Sequence, residues 1–155
     1  MPILKRNGNP DLYYEVDDYT DPWKHAPFIL LQHGYGRSTK FWYRWIPYLA
    51  RFYKVVRADL RGLGQSARDF DLEKGLNSEA YVDDLGAILD ALGAESVHYC
   101  GESLGGIIGM MFAAERPRRV RQDDRVEDER RVGVDAARLD AEQARERVLE
   151  PLVVV

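Results

Sequence analysis

Apolar residues recur along positions 1–117 with two different periods, which predict strands that alternate with helices. The apolar run at 28–31 predicts a strand buried on both faces, and 53–58 and 97–100 predict two more strands. Two sets of apolar positions have helical spacing: Trp42, Trp45, Ile46, Leu49 and Phe52, then Val82, Leu85, Ile88, Leu89 and Leu92. This alternation predicts an α/β fold, a mostly parallel sheet flanked by helices.

Local signals set the ends of these elements. Residues 3–6 and 12–16 predict two short strands, and Asn7 with Gly8 predicts the turn between them. Ser38 is a candidate N-cap for the first helix, in which Pro47 is expected to cause a kink or to delay the regular part. Asn77 or Ser78 is expected to cap the second helix, and Gly93 to end it.

A turn of small residues around a serine follows the strand at 97–100. The residues Gly101, Glu102, Ser103, Leu104 and Gly105 form a G-x-S-x-G pattern, and an apolar helix begins at Leu104. This pattern is typical of a nucleophile elbow, where glycines let strand and helix approach closely and the serine is exposed on a strained turn. The alternative is that Ser103 only caps the helix and the glycines only close a tight turn.

The loop after the strand at 28–31 contains His33, Gly34, Tyr35 and Gly36. In acyl-transfer enzymes a backbone N–H at this place faces the developing oxyanion. The sequence therefore predicts that the N–H groups of Tyr35 and Leu104 form an oxyanion hole. For the His33 side chain we favour a loop-holding role, in which its ring fixes the loop by hydrogen bonds.

Three further residues have a structural interpretation beside a functional one. Asp59, at the end of the strand at 53–58, is a candidate acid by position, but a loop-fixing contact with Arg61 or a backbone N–H is favoured. Trp42 is a candidate pocket residue, although an aromatic cluster of this kind is more often core. Cys100 is interpreted as a small core hydrophobe.

Three motifs in this order resemble the N-terminal half of an α/β-hydrolase: 33–36, 59–66 and 101–106. The resemblance covers 1–117 and is nearest to small cofactor-free esterases and enol-lactonases. It implies a Ser103 nucleophile, an oxyanion hole from the Tyr35 and Leu104 amides, and hydrolysis of an ester, lactone or related carbonyl compound. The candidate substrate-binding residues are His33, Gly34, Trp42 and Glu102; no cofactor and no metal are expected.

The chain departs from this family after Ser103. The triad partners of the family follow the serine in the order acid, then histidine, but His25, His33 and His98 all precede it. Residues 118–155 form a charged tail outside the resemblance, with a thin helical pattern at 135–150 and a strand pattern only at 152–155. A frameshifted or truncated gene is our hypothesis for this change.

Two consequences are expected from the departure, and two alternative functions stay open. Activity should be impaired, because a serine without a base is a poor nucleophile. A non-catalytic fragment, or a half-domain that needs a partner chain, is the alternative. A cofactor-free haloperoxidase or acyltransferase-like activity is a further one. The strand at 97–100 would form an exposed edge and favour self-association.

Charge and composition narrow the remaining possibilities. The formal net charge of −4 gives no reason to expect nucleic acid as a partner. The single cysteine excludes a disulfide framework within the chain. With neither a membrane span nor a signal-peptide pattern in the sequence, a soluble cytoplasmic protein is the default expectation.

Overall fold

A computed structural model of the chain describes residues 3–121 and 152–154. Six strands in these ranges form one mixed sheet in the order β1-β2-β4-β3-β5-β6. The strands are β1 Ile3–Leu4, β2 Leu12–Asp17, β3 Phe28–Gln32, β4 Lys54–Ala58, β5 Val97–Glu102 and β6 Leu152–Val154. The predicted α/β architecture is confirmed, and the described residues form part of that fold.

Strands β4, β3 and β5 run parallel, and β3 lies between the other two. Leu30 of β3 is opposite Val56 of β4 on one side and Tyr99 of β5 on the other. Leu30, Val56 and Tyr99 are all buried. The carboxyl ends of these three strands therefore meet at one edge of the sheet, where ligands bind in open α/β sheets.

Helices cover both faces of this sheet. On one face, α3 (Ser78–Ala91) and α4 (Leu104–Glu115) pack through a core that includes Leu85, Ile88, Ile108 and Phe112. On the other face, a smaller core contains Leu31, Trp42, Ile46, Val55 and Cys100. The short helices α1 (Ile46–Leu49) and α2 (Leu72–Gly75) and two 3₁₀ turns, Thr39–Trp42 and Pro117–Arg119, complete the described elements.

The single helix predicted over 42–52 is wrong. A 3₁₀ turn ends at Trp42 and α1 begins at Ile46, with Pro47 in its first turn, where a missing N–H costs nothing. Phe52 lies beyond α1 and is exposed. Ser38 occupies the expected cap position, but its side chain makes no capping hydrogen bond.

The predicted ends of α3 are confirmed. The Asn77 side chain accepts a hydrogen bond from the Ala80 N–H at 2.8 Å, as an N-cap does. Gly93 has a φ of +64°, the left-handed conformation that glycine adopts readily after a helix.

The expectation that β5 forms an exposed edge is wrong for its second half. Cys100, Gly101 and Glu102 pair with β6 in antiparallel register, and Val97 forms a parallel bridge with Val120. The physical reason is that the apolar residues 152–154 supply the neighbouring strand from the same chain. The helical pattern at 135–150 lies outside the described residues, and the boundary at 117 stays a prediction.

A buried ion pair connects α3 to the loop after β4. The Arg61 guanidinium donates to both oxygens of Asp84, at 2.5 and 2.6 Å, and also to the Gly75 and Ala80 carbonyls. Arg6 contacts the same carboxylate. Since both Arg61 and Asp84 are buried, this pair fixes the loop but would leave a buried charge if one partner were lost.

Asp84→Ala is expected to lower the free energy of unfolding by about 3 kcal/mol or more, because Arg61 would keep its buried charge without a counterion. Asp83→Ala is the matched control. The Asp83 carboxylate, next to Asp84 in the sequence, is half exposed and pairs with Arg116 at the surface. Removing it is expected to lower the free energy of unfolding by less than about 1 kcal/mol. Urea unfolding at neutral pH measures both. Equal losses for the two variants would contradict the assignment.

Candidate active site

Ser103 occupies the turn between β5 and α4. Its φ of 53° and ψ of −118° make it the sole non-glycine residue with positive φ in the described ranges. Such a conformation costs about 1–3 kcal/mol and persists only where the surrounding structure imposes it. The Ser103 side chain is exposed, and its hydroxyl has no hydrogen-bond partner within 3–121 and 152–154.

The surrounding structure imposes the turn through close backbone contacts. A Cβ at Gly101 would lie 2.5 Å from the Gly105 oxygen and from the Gly106 nitrogen. A Cβ at Gly105 would collide with the Gln32 carbonyl oxygen and lie 2.9 Å from that of His33. The glycines of the G-x-S-x-G pattern are thus required by the approach of β5, α4 and the end of β3, as the sequence predicted.

The loop after β3 lies directly against Ser103. A Cβ at Gly34 would be 3.0 Å from the Ser103 Cβ and 2.9 Å from the Glu102 carbonyl oxygen. The Gly34 N–H donates to Glu102 Oε2 at 3.0 Å. The structure therefore brings together Gly34, Glu102 and Ser103, three of the residues singled out from the sequence.

His33 is fully buried, and both of its ring nitrogens are engaged. Nδ1 lies 2.7 Å from the Gly34 carbonyl oxygen, which can only accept, so Nδ1 carries the proton. Nε2 accepts from the Leu60 N–H at 3.2 Å. This pattern requires the neutral ring and agrees with the loop-holding interpretation, and it leaves no nitrogen to serve Ser103 as a base.

The His33 contact also orients the next peptide group. In a trans peptide the C=O and N–H point in opposite directions, so the Tyr35 N–H points away from the His33 ring. Neither this N–H nor that of Leu104 has an acceptor in the part of the chain that the structure describes. Within residues 3–121 and 152–154, two backbone donors are therefore unpaired, one in the loop that contacts Ser103 and one directly after Ser103.

Asp59 fixes loops by accepting from backbone amides. Its buried carboxylate accepts from the Thr39 N–H at 2.6 Å and from the Gln65 N–H at 2.8 Å. His33 Nε2 is 3.6 Å away, beyond hydrogen-bond distance. Burial would raise the pKa of Asp59, but the hydrogen bonds that its carboxylate accepts, those from the Gln65 and Thr39 amides among them, leave that pKa below its usual value. Arg61, the other partner considered for Asp59, pairs with Asp84 instead.

Three other residues lie in packed surroundings. Trp42 has no accessible surface and packs edge-on against Phe41 and Trp45. Its expected role in substrate binding stays a prediction, and its buried side chain offers no surface for a substrate. His98 packs edge-on against Tyr53, with 5.3 Å between ring centroids. Burial raises the pKa of the Cys100 thiol to about 11, as fits a core residue.

Arg37 is a site residue that the sequence interpretation missed. Its Nε lies 3.3 Å from Glu102 Oε2, and its guanidinium lies over the Phe41 ring at 4.3 Å from the centroid. The sequence offered no signal for it, because the contact joins residues 65 positions apart across two loops.

Comparison with known proteins agrees with this geometry. The family model described as alpha/beta hydrolase fold matches residues 27–122. A putative carbamate hydrolase, RutD, of Agrobacterium fabrum is 36% identical over 107 residues, which are 69% of this chain and 40% of that protein. The strigolactone esterase RMS3 of Pisum sativum is 37% identical over 91 residues, 58% of this chain and 34% of that protein.

Solved structures show the same likeness. The enol-lactonase from Burkholderia xenovorans LB400 superposes with a TM-score of 0.69 at 28% identity, covering 77% of this chain and 44% of that one. The match with this chain spans about two fifths of the length of each of two RutD proteins. No helix within the described ranges is both long enough and apolar enough to cross a bilayer.

Asp59→Asn is expected to destabilise the protein at pH 7 by about 1–3 kcal/mol, because an amide NH₂ would face a backbone donor. Since the folded-state pKa of Asp59 lies below its usual 3.8, ionised Asp59 contributes stability above pH 3.8 that is lost as the pH falls through the folded pKa. The difference between wild type and variant should therefore shrink with falling pH.

Urea unfolding from pH 7 down to pH 3 measures this difference. Asp69→Asn, at an exposed position of the same loop region, serves as the control and should change little at any pH. A gap between wild type and Asp59→Asn that stays constant over the whole range would contradict the assigned role.

Proposed function

The chain belongs to the alpha/beta hydrolase fold family, and on that premise we propose that Ser103 is the nucleophile of a serine hydrolase. Its substrate is a carboxylic ester, a lactone or a related carbonyl compound. The observation that carries this proposal is the strained, exposed Ser103 held between β5 and α4 against Gly34. A serine that only capped a helix would need no positive φ, and Ser103 makes no capping bond.

Two backbone N–H groups support the oxyanion-hole assignment. Neither the Tyr35 nor the Leu104 amide has an acceptor among the described residues. The Leu104 amide is the first of α4, where the helix dipole favours negative charge. Donors of this kind stabilise the charge that develops on a carbonyl oxygen under attack. The site needs no cofactor to supply that stabilisation.

The reaction has two steps. Ser103 Oγ attacks the carbonyl carbon and loses its proton to solvent water, and the leaving group departs with the electrons of the broken C–O or C–N bond and takes up a proton from water. Water then attacks the acyl-enzyme and releases the acid and free Ser103. The Tyr35 and Leu104 amides bind the oxyanion in both steps.

The names of several relatives support the proposed substrate class. A carbamate hydrolase, a strigolactone esterase and an enol-lactonase are named among them, and each name describes a carbonyl carbon bonded to a heteroatom. Ser103 with two amide donors fits attack on such a carbon. The expected substrate-binding role of His33, Gly34 and Glu102 stays a prediction, and their contacts with each other indicate support of the loop rather than direct binding.

No described histidine is placed to take the proton of Ser103. All three histidines precede Ser103 in the sequence, and the His33 nitrogens are engaged. Without a positioned base a serine hydrolase retains about 10³-fold acceleration over water, from the oxyanion hole and binding. We therefore propose an impaired hydrolase.

Two observations support a second proposal: the Ser103 hydroxyl has no partner among the described residues, and the chain spans about two fifths of the length of its RutD relatives. In that reading the chain is a half-domain, and another chain supplies the acid and the histidine. Acyl transfer to peroxide or an alcohol instead of water is a further alternative on the same scaffold, and product ratios with each acceptor distinguish it from hydrolysis.

Wild type is expected to react with a fluorophosphonate probe and to hydrolyse a short activated ester slowly, and Ser103→Ala should lose both reactions. Mass spectrometry of the labelled peptide and initial rates of ester turnover measure this. Ser96→Ala, a serine at the opposite end of β5, is the matched control and should keep wild-type rates. Labelling that persists in Ser103→Ala would refute the assignment, and absence of wild-type labelling would favour the half-domain reading.

A further inference from the structure

We propose that Glu102 is a positioning residue: its carboxylate ties the loop at 33–36 to the Ser103 turn and so holds the Tyr35 amide in place for the oxyanion. This inference rests on the proposed function of Ser103 and deepens it. It assigns a structural reason to the residue between Gly101 and Ser103, a position that the G-x-S-x-G pattern leaves open.

The Glu102 carboxylate is held between two donors. It belongs to the last residue of β5, and its side chain is 13% exposed. One oxygen, Oε2, accepts the Gly34 N–H at 3.0 Å and lies 3.3 Å from Arg37 Nε. Charge-assisted bonds of this kind are about twice as strong as neutral ones, so the contact is a strong link between two loops.

Packing reinforces the link. A Cβ at Gly34 would lie 2.5 Å from Glu102 Oε2, so the carboxylate fills the space that any other residue at position 34 would need. The glycine and the carboxylate therefore fit each other, and a side chain at position 34 would have to displace the carboxylate from its present place.

The link fixes the peptide that matters for catalysis. Glu102 holds the Gly34 N–H, and His33 Nδ1 holds the Gly34 carbonyl. Both the N–H and the C=O of Gly34 are thereby held by hydrogen bonds. The Tyr35 N–H is the next donor along the chain. Without Glu102 the loop would keep one of these two bonds, and a donor displaced by about 1 Å can cost about 10²-fold in rate.

Arg37 makes this carboxylate compatible with an oxyanion nearby. Its guanidinium offsets the negative charge of Glu102, and its position over the Phe41 ring restricts its movement. The pair thus contributes an acceptor for Gly34 without leaving an uncompensated negative charge beside Ser103.

The test measures fluorophosphonate labelling of Ser103 in the full chain, with the maximal rate separated from probe affinity. Glu102→Ala should lower the maximal rate about tenfold or more with little change in affinity, since positioning acts on the transition state. Glu102→Gln keeps an acceptor oxygen and loses the charge, so it should recover most of the rate lost in Glu102→Ala.

Two further variants separate positioning from charge and from folding. Arg37→Ala leaves the Gly34 bond in place and should slow labelling less than Glu102→Ala. Glu115→Ala removes an exposed carboxylate from the far end of α4 and should label as wild type. Amide hydrogen exchange at Gly34 should rise in Glu102→Ala and stay unchanged in Glu115→Ala.

The outcomes are distinguishable. Wild-type labelling with an unchanged rate in Glu102→Ala would overturn the positioning role and leave the proposed function standing. An equal loss in Glu102→Ala, Glu102→Gln and Arg37→Ala would assign the effect to charge and overturn it as well. Absence of wild-type labelling would overturn both proposals for the chain on its own and favour the half-domain reading, whatever the exchange at Gly34.

Discussion

The close approach of β5, α4 and the loop after β3 is the constraint on which the rest of the site depends. Gly101, Gly105 and Gly34 each lie where a Cβ would meet backbone atoms within 3.0 Å. With the strand and the helix this close, the single residue between them must turn sharply, and Ser103 takes a positive φ. The strain at Ser103 is therefore a consequence of sheet and helix packing, and is maintained by the core beneath it.

Polar side chains then join the loops at the carboxyl ends of the parallel strands. His33 from the β3 loop accepts from the Leu60 amide after β4, and Asp59 accepts from the Thr39 amide after β3. Glu102 at the end of β5 accepts from Gly34. Each contact pairs a side chain with a backbone N–H of another loop. These hydrogen bonds link three loops that the sheet alone would only place near each other. Buried polar groups that are fully paired in this way favour a single arrangement.

The sequence predicted the features that local pattern determines. The three central strands, the cap at Asn77 and the glycine requirement at the Ser103 turn depend on neighbouring residues, and the structure confirms them. The break between Trp42 and Ile46 was missed because apolar spacing continues across it although the backbone does not. The Arg61–Asp84 and Glu102–Gly34 contacts join residues 23 and 68 positions apart, and nothing in a single sequence states which distant polar groups will meet. The pairing of β6 with β5 was missed for the same reason.

A serine hydrolase requires donors for the oxyanion and a base for the serine, and these two requirements are met by different parts of the structure. The proposed oxyanion donors, the Tyr35 and Leu104 amides, are backbone N–H groups, and their positions follow from β3, β5 and α4, all of which lie within the described residues. A base is a side chain that must reach the Ser103 hydroxyl, and its position depends on an element that packs beside that turn. The imidazole nearest along the loop, His33, is already used twice for loop contacts, and protonating it would break its bond to the Leu60 amide. A ring that serves the structure in this way cannot also exchange a proton with Ser103, so in this fold the stabilisation of the oxyanion and the activation of the serine are separable properties.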